Sequence, residues 1–163
     1  MALDLFAAVS EAAAALEGSP LGAAMRGSKG WYPAANVAHV GGLVLLVGGV
    51  GVLDLRMAGL GRAVPIAALS RMVTPLAVAG LVVLAVSGFV LFAADAGPLI
   101  RSDTFRLKMA LAALALVNAF GFRRRFGDFA DGREPPPLAR AMAVLSIGLW
   151  LMVGALGRLI AYS

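Results

Sequence analysis

Apolar and polar positions alternate along the chain in long blocks. Residues 30–53 carry no Asp, Glu, Lys or Arg, and neither do 72–94 or 141–157. The first two runs exceed the ~18 apolar residues that mark a membrane-spanning helix. The pattern predicts four spans, over about 34–55, 73–94, 104–122 and 138–160, with Pro75 in the first turn of the second. The third span is the thinnest, because only the 14 residues 109–122 are free of charge. At 1.5 Å per residue they cover about 21 Å of a ~30 Å hydrocarbon core. Arg106 and Lys108 at its entry must therefore snorkel to the interface or face a polar interior.

Ahead of the spans, residues 2–17 predict an amphipathic helix with Leu3, Phe6, Val9, Ala13 and Leu16 on one stripe. Such a helix suits a membrane surface or the end of a bundle. Gly18-Ser19-Pro20 breaks it, and a short second helix is expected from Pro20 to Arg26. Trp31-Tyr32-Pro33 forms an interfacial aromatic anchor that opens the first span. The first residues lack a basic segment and carry Asp4 and Glu11, unlike a usual cleavable signal peptide. The expected fold is all-α: a single integral membrane domain, a four-transmembrane-helix bundle with an N-terminal amphipathic surface helix.

Composition strengthens this picture. Of 163 residues, 61% are hydrophobic and 14% charged, with a mean hydropathy of +0.90. A soluble domain carries roughly 25% charged residues, so a soluble globular enzyme is excluded. Without cysteine there is no disulfide scaffold and no thiolate metal site. The net charge of +5 comes mainly from basic residues flanking apolar runs, where they set topology and meet anionic lipid. No nucleic-acid motif is present. The segments between spans 1–2 and 3–4 hold eight Lys and Arg residues, Arg133 among them, against six on the other side. The positive-inside rule then places both termini on the periplasmic side of a bacterial inner membrane.

Few polar residues remain inside the spans. His39, the only histidine, sits about six residues into span 1, with Asn36 three residues before it. Asn36, His39, Leu43, Val47, Val50 and Asp54 form one helical stripe. An intramembrane ionisable residue is a functional candidate; the alternative is a histidine that hydrogen-bonds a neighbouring helix and fixes packing. By depth, Met109 and Lys108 on span 3 and Met152 on span 4 come level with His39. Imidazole with thioether is a soft ligand set suited to Cu(I) or to the axial positions of haem. The competing expectation is that the methionines fill gaps in the core. Asp54 and Asp95 close their spans where the helix dipole disfavours an anion. Arg56, Arg71 or Arg123–Arg125 is the expected partner of Asp54, and Arg101, Arg106 or Lys108 that of Asp95. Asn118 adds a polar group to span 3. Gly41 and Gly48, and Gly42 and Gly49, form two small-residue seams for close helix approach, inside the bundle or in a homodimer.

Trp31-Tyr32-Pro33, Asn36 to Gly42, Leu53-Asp54-Leu55-Arg56, Leu91 to Ala96 and Phe105-Arg106-Leu107-Lys108 together resemble uncharacterised small four-span bacterial inner-membrane proteins, a domain of unknown function. A second similarity is to the copper-resistance D membrane domain: Phe105 to Lys108, then Asn118, then Arg123. That domain is associated with copper passage across the inner membrane; this chain departs from it in having four spans and one histidine.

These features imply a non-catalytic membrane protein that binds or transports a ligand, with His39, Met109 and Met152 as a copper site near the outer leaflet. One alternative is a haem b electron-transfer subunit with His39 as one axial ligand and Met109 or Met152 as the other. The other is a structural subunit that docks on a larger membrane complex through its glycine seams. No Ser-His-Asp set, HExxH or phosphate loop points to an enzyme.

Overall fold

The computed structural model describes residues 2–127 and 134–160, which leaves Arg133 of the charge count outside the described residues. Seven helices form among them and no strand: α1 (Ala2–Glu17), α2 (Pro20–Gly27), α3 (Trp31–Ala58), α4 (Ile66–Ala94), α5 (Ala96–Arg101), α6 (Asp103–Phe126) and α7 (Pro137–Leu159). Local chemistry sets their ends. Ser19 caps α2 by accepting from the Gly22 N–H, with Pro20 at the first helical position. Ser102 caps α6 by accepting from the Phe105 N–H. Helix α3 stops at Gly59, whose φ of +116° admits no ordinary side chain without strain. The Gly59 and Leu60 N–H groups return to the Arg56 and Leu55 carbonyls, the pairing of a Schellman cap.

Helices α3, α4, α6 and α7 contain 28, 29, 24 and 23 residues. Their lengths of about 34–44 Å exceed the ~30 Å hydrocarbon core. All four are apolar enough to cross a membrane, with mean hydropathy between 1.5 and 2.6 in their central windows. The predicted four-helix architecture is therefore present, and the chain is a multi-pass membrane protein. Two boundaries differ from expectation. Helix α4 starts at Ile66 rather than near residue 73, so Pro75 lies inside it and not in its first turn. Ala67, Ala68 and Leu69 are good helix formers behind Pro65, and they extend the helix below the apolar run. The six-residue α5 was not anticipated, because Gly97 and Pro98 mark a turn in the sequence.

Helix α3 is central. It packs against α4 on one flank and α7 on the other, and α6 packs on α7. The α3–α4 contact uses glycine: a Cβ on Gly42 would stand 2.9 Å from the Gly80 carbonyl oxygen, and one on Gly80 2.6 Å from the Leu46 nitrogen. Gly49 meets Val73 and Ala77 in the same way. The other seam faces outward, since nothing lies within 4 Å of a Cβ built on Gly41 or Gly48. Leu46, Ala77, Ala115, Leu149, Trp150 and Val153 form a core shared by all four long helices. A second core at the Asp54 end joins Met57, Ile66, Ala139 and Ala143. Apolar side chains also cover the outside: Val37, Val117 and Phe120 are 73%, 67% and 67% exposed, as a lipid-facing belt requires.

The short helices cap the end where α3 begins. Helix α1 lies against α5, and α2 against α4. The Gly97 N–H donates to Glu17 Oε2 at 2.7 Å, and Arg26 Nη1 donates to the Ala94 carbonyl at 2.8 Å. Phe92 stacks on Phe105 at 5.6 Å, closing α4 against α6.

Candidate functional site

Two polar sites lie at opposite ends of α3. The first is built around His39, about 12 Å along the helix from Trp31. His39 Nδ1 is 3.0 Å from Ser87 Oγ on α4. The Ser87 hydroxyl itself donates to the Val83 carbonyl, which commits its proton. Nδ1–H must then be the donor to Ser87, and Nε2 carries the lone pair of the neutral ring. The Leu84 carbonyl lies near the imidazole. Nε2 makes no hydrogen bond among the described residues. A Cβ at Gly88 would stand 3.1 Å from His39 Cε1, so the missing side chain there makes room for the ring.

Lys108 completes this site. It follows the inward stripe of α6 that includes Leu111, Ala115 and Asn118, and its charge bears on the His39 imidazole. Gly157 of α7 leaves space for it: a Cβ would meet Lys108 Cε and Nζ at 3.6 Å. Leu43 reaches Gly154 on the same helix. Among the described residues Lys108 has no hydrogen bond and no acidic partner. The site therefore gathers an imidazole lone pair and an ammonium group, with a hydroxyl that orients the ring, from α3, α6 and α4. Glycines of α4 and α7 open the space.

The methionines do not join it. Met109 and Met152 are 51% and 52% exposed, on the outer faces of α6 and α7. Met109 follows Lys108 by one residue and so points about 100° away from it. Among the described residues no cluster of three His, Asp or Glu is placed to hold a metal. Asn36 is exposed on α3, while Asn118 is buried and donates from Nδ2 to the Met142 carbonyl at 3.1 Å, tying α6 to α7.

The second polar site lies at the Asp54 end. The Asp54 carboxylate faces the buried Ser146 of α7, not an arginine as expected. Arg56, 8% exposed, turns the other way: Nε donates to the Val64 carbonyl at 2.7 Å and Nη2 to that of Arg62 at 3.1 Å. It spends its charge on closing the α3–α4 loop. From His39 downward the predicted stripe faces α7, since Leu43 meets Gly154, Val50 packs in the core with Trp150, and Asp54 meets Ser146.

Asp95 also lacks its expected partners. It sits in the turn between α4 and α5 and borders a surface cleft of about 350 Å³ shared with Arg26, Lys29 and Tyr32. Arg106 pairs instead with Asp103 at 2.9 Å, and Arg101 and Lys108 form no ion pair with Asp95. Ser87, Gly88, Gly157 and Ser146 do not stand out in the sequence, since each is an ordinary residue of an apolar span.

No curated protein and no solved structure matches the chain. The likeness to the copper-resistance D domain is not shown by these comparisons. The model of one family, described as a family of unknown function (DUF6644), matches residues 15–163, and the chain belongs to that family.

Proposed function

We propose that the protein is a non-catalytic binding or transport-type protein of the bacterial inner membrane, with both termini periplasmic. Its ligand is a small anion or a molecule with a hydrogen-bond acceptor, held between Lys108 and His39 near the outer leaflet. The observation that carries this reading is the Lys108 ammonium inside the bundle without an acidic partner among the described residues. A buried charge is costly unless paired, so a ligand of opposite charge is the natural complement. The same charge disfavours Cu(I) beside His39, and the copper and haem b readings also need Met109 or Met152 turned inward.

The test is a thermal-shift and calorimetric titration of purified protein with chloride, acetate, bicarbonate and phosphate, and separately with Cu(I). Saturable binding of one of the anions, lost in Lys108→Met and weakened in His39→Ala, is expected. Cu(I) binding that needs His39 and survives Lys108→Met would replace this reading with the copper one. The outward Gly41–Gly48 seam favours a second reading, a structural subunit that docks on a homodimer mate or a larger membrane complex.

A further inference from the structure

The cleft of about 350 Å³ beside Asp95 lies at the end of the bundle where α3 begins, between α2, the start of α3 and the α4–α5 turn. Trp31, 72% exposed, is the interfacial anchor next to it, so the cleft opens at the depth of lipid head groups. Arg26, Lys29 and Asp95 all line it and all are accessible, the two cations exposed and the carboxylate partly so. Yet they do not neutralise one another. Among the described residues Lys29 and Asp95 form no ion pair. Arg26 donates from Nη1 to the Ala94 carbonyl at 2.8 Å, not to the adjacent Asp95 carboxylate. That bond fixes the guanidinium beside the cleft and leaves its other N–H groups without a partner among the described residues. Ser28, on the same rim, accepts from the Gly30 and Trp31 N–H groups at 3.1 and 2.9 Å, and its own proton stays uncommitted. Two cations, a hydroxyl proton and a carboxylate therefore border one space with their charges unpaired.

We propose that this cleft binds the head group of a phospholipid that joins a phosphate to a primary amine, phosphatidylethanolamine, with the phosphate against Arg26, Lys29 and Ser28 and the ammonium against Asp95. Separated, unpaired charges of both signs select a dipolar ligand. Arginine offers phosphate oxygens a planar fork and lysine a point charge. A primary ammonium donates hydrogen bonds to the Asp95 carboxylate, whereas a quaternary amine has no N–H to donate. A head group without an amine leaves Asp95 facing a phosphate of like charge. The volume lies at the lower end of the ~300–1,000 Å³ range of small-molecule sites, which suits a head group and not its acyl chains. Those have their own track. Pro33 lines the cleft, and Pro33, Val37, Val40 and Val44 form one exposed stripe down α3. That continuity from charged cleft to apolar stripe favours a lipid over a soluble molecule with the same head group. His39 lies about 12 Å further along α3 than Trp31, so this site is separate from that of His39 and Lys108 and does not rest on it.

The test mixes delipidated protein in detergent with equal amounts of dioleoyl phosphatidylethanolamine, phosphatidylcholine and phosphatidylglycerol, and reads the bound lipid by native mass spectrometry. The ethanolamine lipid should be retained roughly fivefold over either of the others, the selectivity that one interfacial charge pair of about 1 kcal/mol confers. Asp95→Asn, which keeps the size of the side chain, should abolish that preference. Lys29→Gln should lower retention of every phospholipid. Neither side chain makes an ion pair or hydrogen bond among the described residues, so both variants should unfold at the wild-type temperature. A clearly lower temperature for Asp95→Asn would mean that the carboxylate already serves the fold, and overturns the site. Equal retention of the three lipids, or a preference that persists in Asp95→Asn, overturns it as well. So does displacement of the lipid by soluble glycerophosphoethanolamine at equal concentration, which would assign the cleft to a free head group.

Discussion

Ser87 decides which nitrogen of His39 is free. Its proton goes to the Val83 carbonyl, so its oxygen can only accept, and the ring must present Nδ1–H to it. Because His39 is the only histidine, a ¹⁵N-histidine sample yields one imidazole signal set. Wild-type protein should show the Nδ1–H tautomer, and Ser87→Ala should introduce the Nε2–H form. An unchanged tautomer in the variant would mean that the Leu84 carbonyl, not Ser87, orients the ring. His39 and Lys108 were legible as candidates because each stands out against an apolar run. Their partners were not. Ser87 and Gly88 face His39, and Gly157 faces Lys108, only through the mutual register of α3, α4, α6 and α7. The Met109 and Met152 expectation failed to converge for a related reason. Depth along a helix placed them level with His39, but depth says nothing of rotation about the axis, and both turn outward.

The register between α3 and α4 comes from small residues. Gly42 and Gly80 abut so closely that a Cβ on Gly80 would stand 2.6 Å from the Leu46 nitrogen and 2.7 Å from the Gly42 carbonyl oxygen. Both obstacles are backbone and cannot swing aside. Gly80→Ala should therefore push α3 from α4 and destabilise the bundle by about 1–3 kcal/mol, the usual cost of overpacking. Gly41→Ala should have the opposite sign. No atom lies within 4 Å of its Cβ position, and the better helix former gains up to about 1 kcal/mol. Thermal unfolding of the two variants in one detergent checks the pair; equal shifts would refute the assignment of the inner and outer seams. Both glycine pairs were visible as seven-residue repeats. Which pair is buried was not, because the two lie on adjacent faces of the same apolar helix. Helix ends were hidden for another reason. The start of α4 and the whole of α5 depend on capping and local propensity, while the apolar pattern records only which residues tolerate lipid.

At the scale of the molecule, the composition dictates an inside-out distribution: apolar residues fill the core and also cover the outside of the spans, leaving charge for the ends. Three crossings, by α3, α4 and α6, put residues 28–30 and 134–136 at opposite ends of the bundle, with the α3–α4 loop at the same end as 134–136. In the proposed orientation the loop end is cytoplasmic, by eight basic residues to six. Lys108 is one of the six, and the helix carries it inward, away from the interface where it would act as a topology signal, which strengthens the bias. The absence of cysteine makes a direct test simple. Lys29→Cys and Leu60→Cys place single thiols on exposed positions at opposite ends of α3. In intact spheroplasts a membrane-impermeant maleimide should label Lys29→Cys and leave Leu60→Cys unmodified until the membrane is broken. The reverse pattern would turn the molecule over. His39 and Lys108 would then face the cytoplasm, and an anion reaching them would come from the cell interior. The Asp54 end of the bundle would move to the outer leaflet. Orientation thus decides which pool of ligands each site meets, while the chemistry of the two sites stays the same.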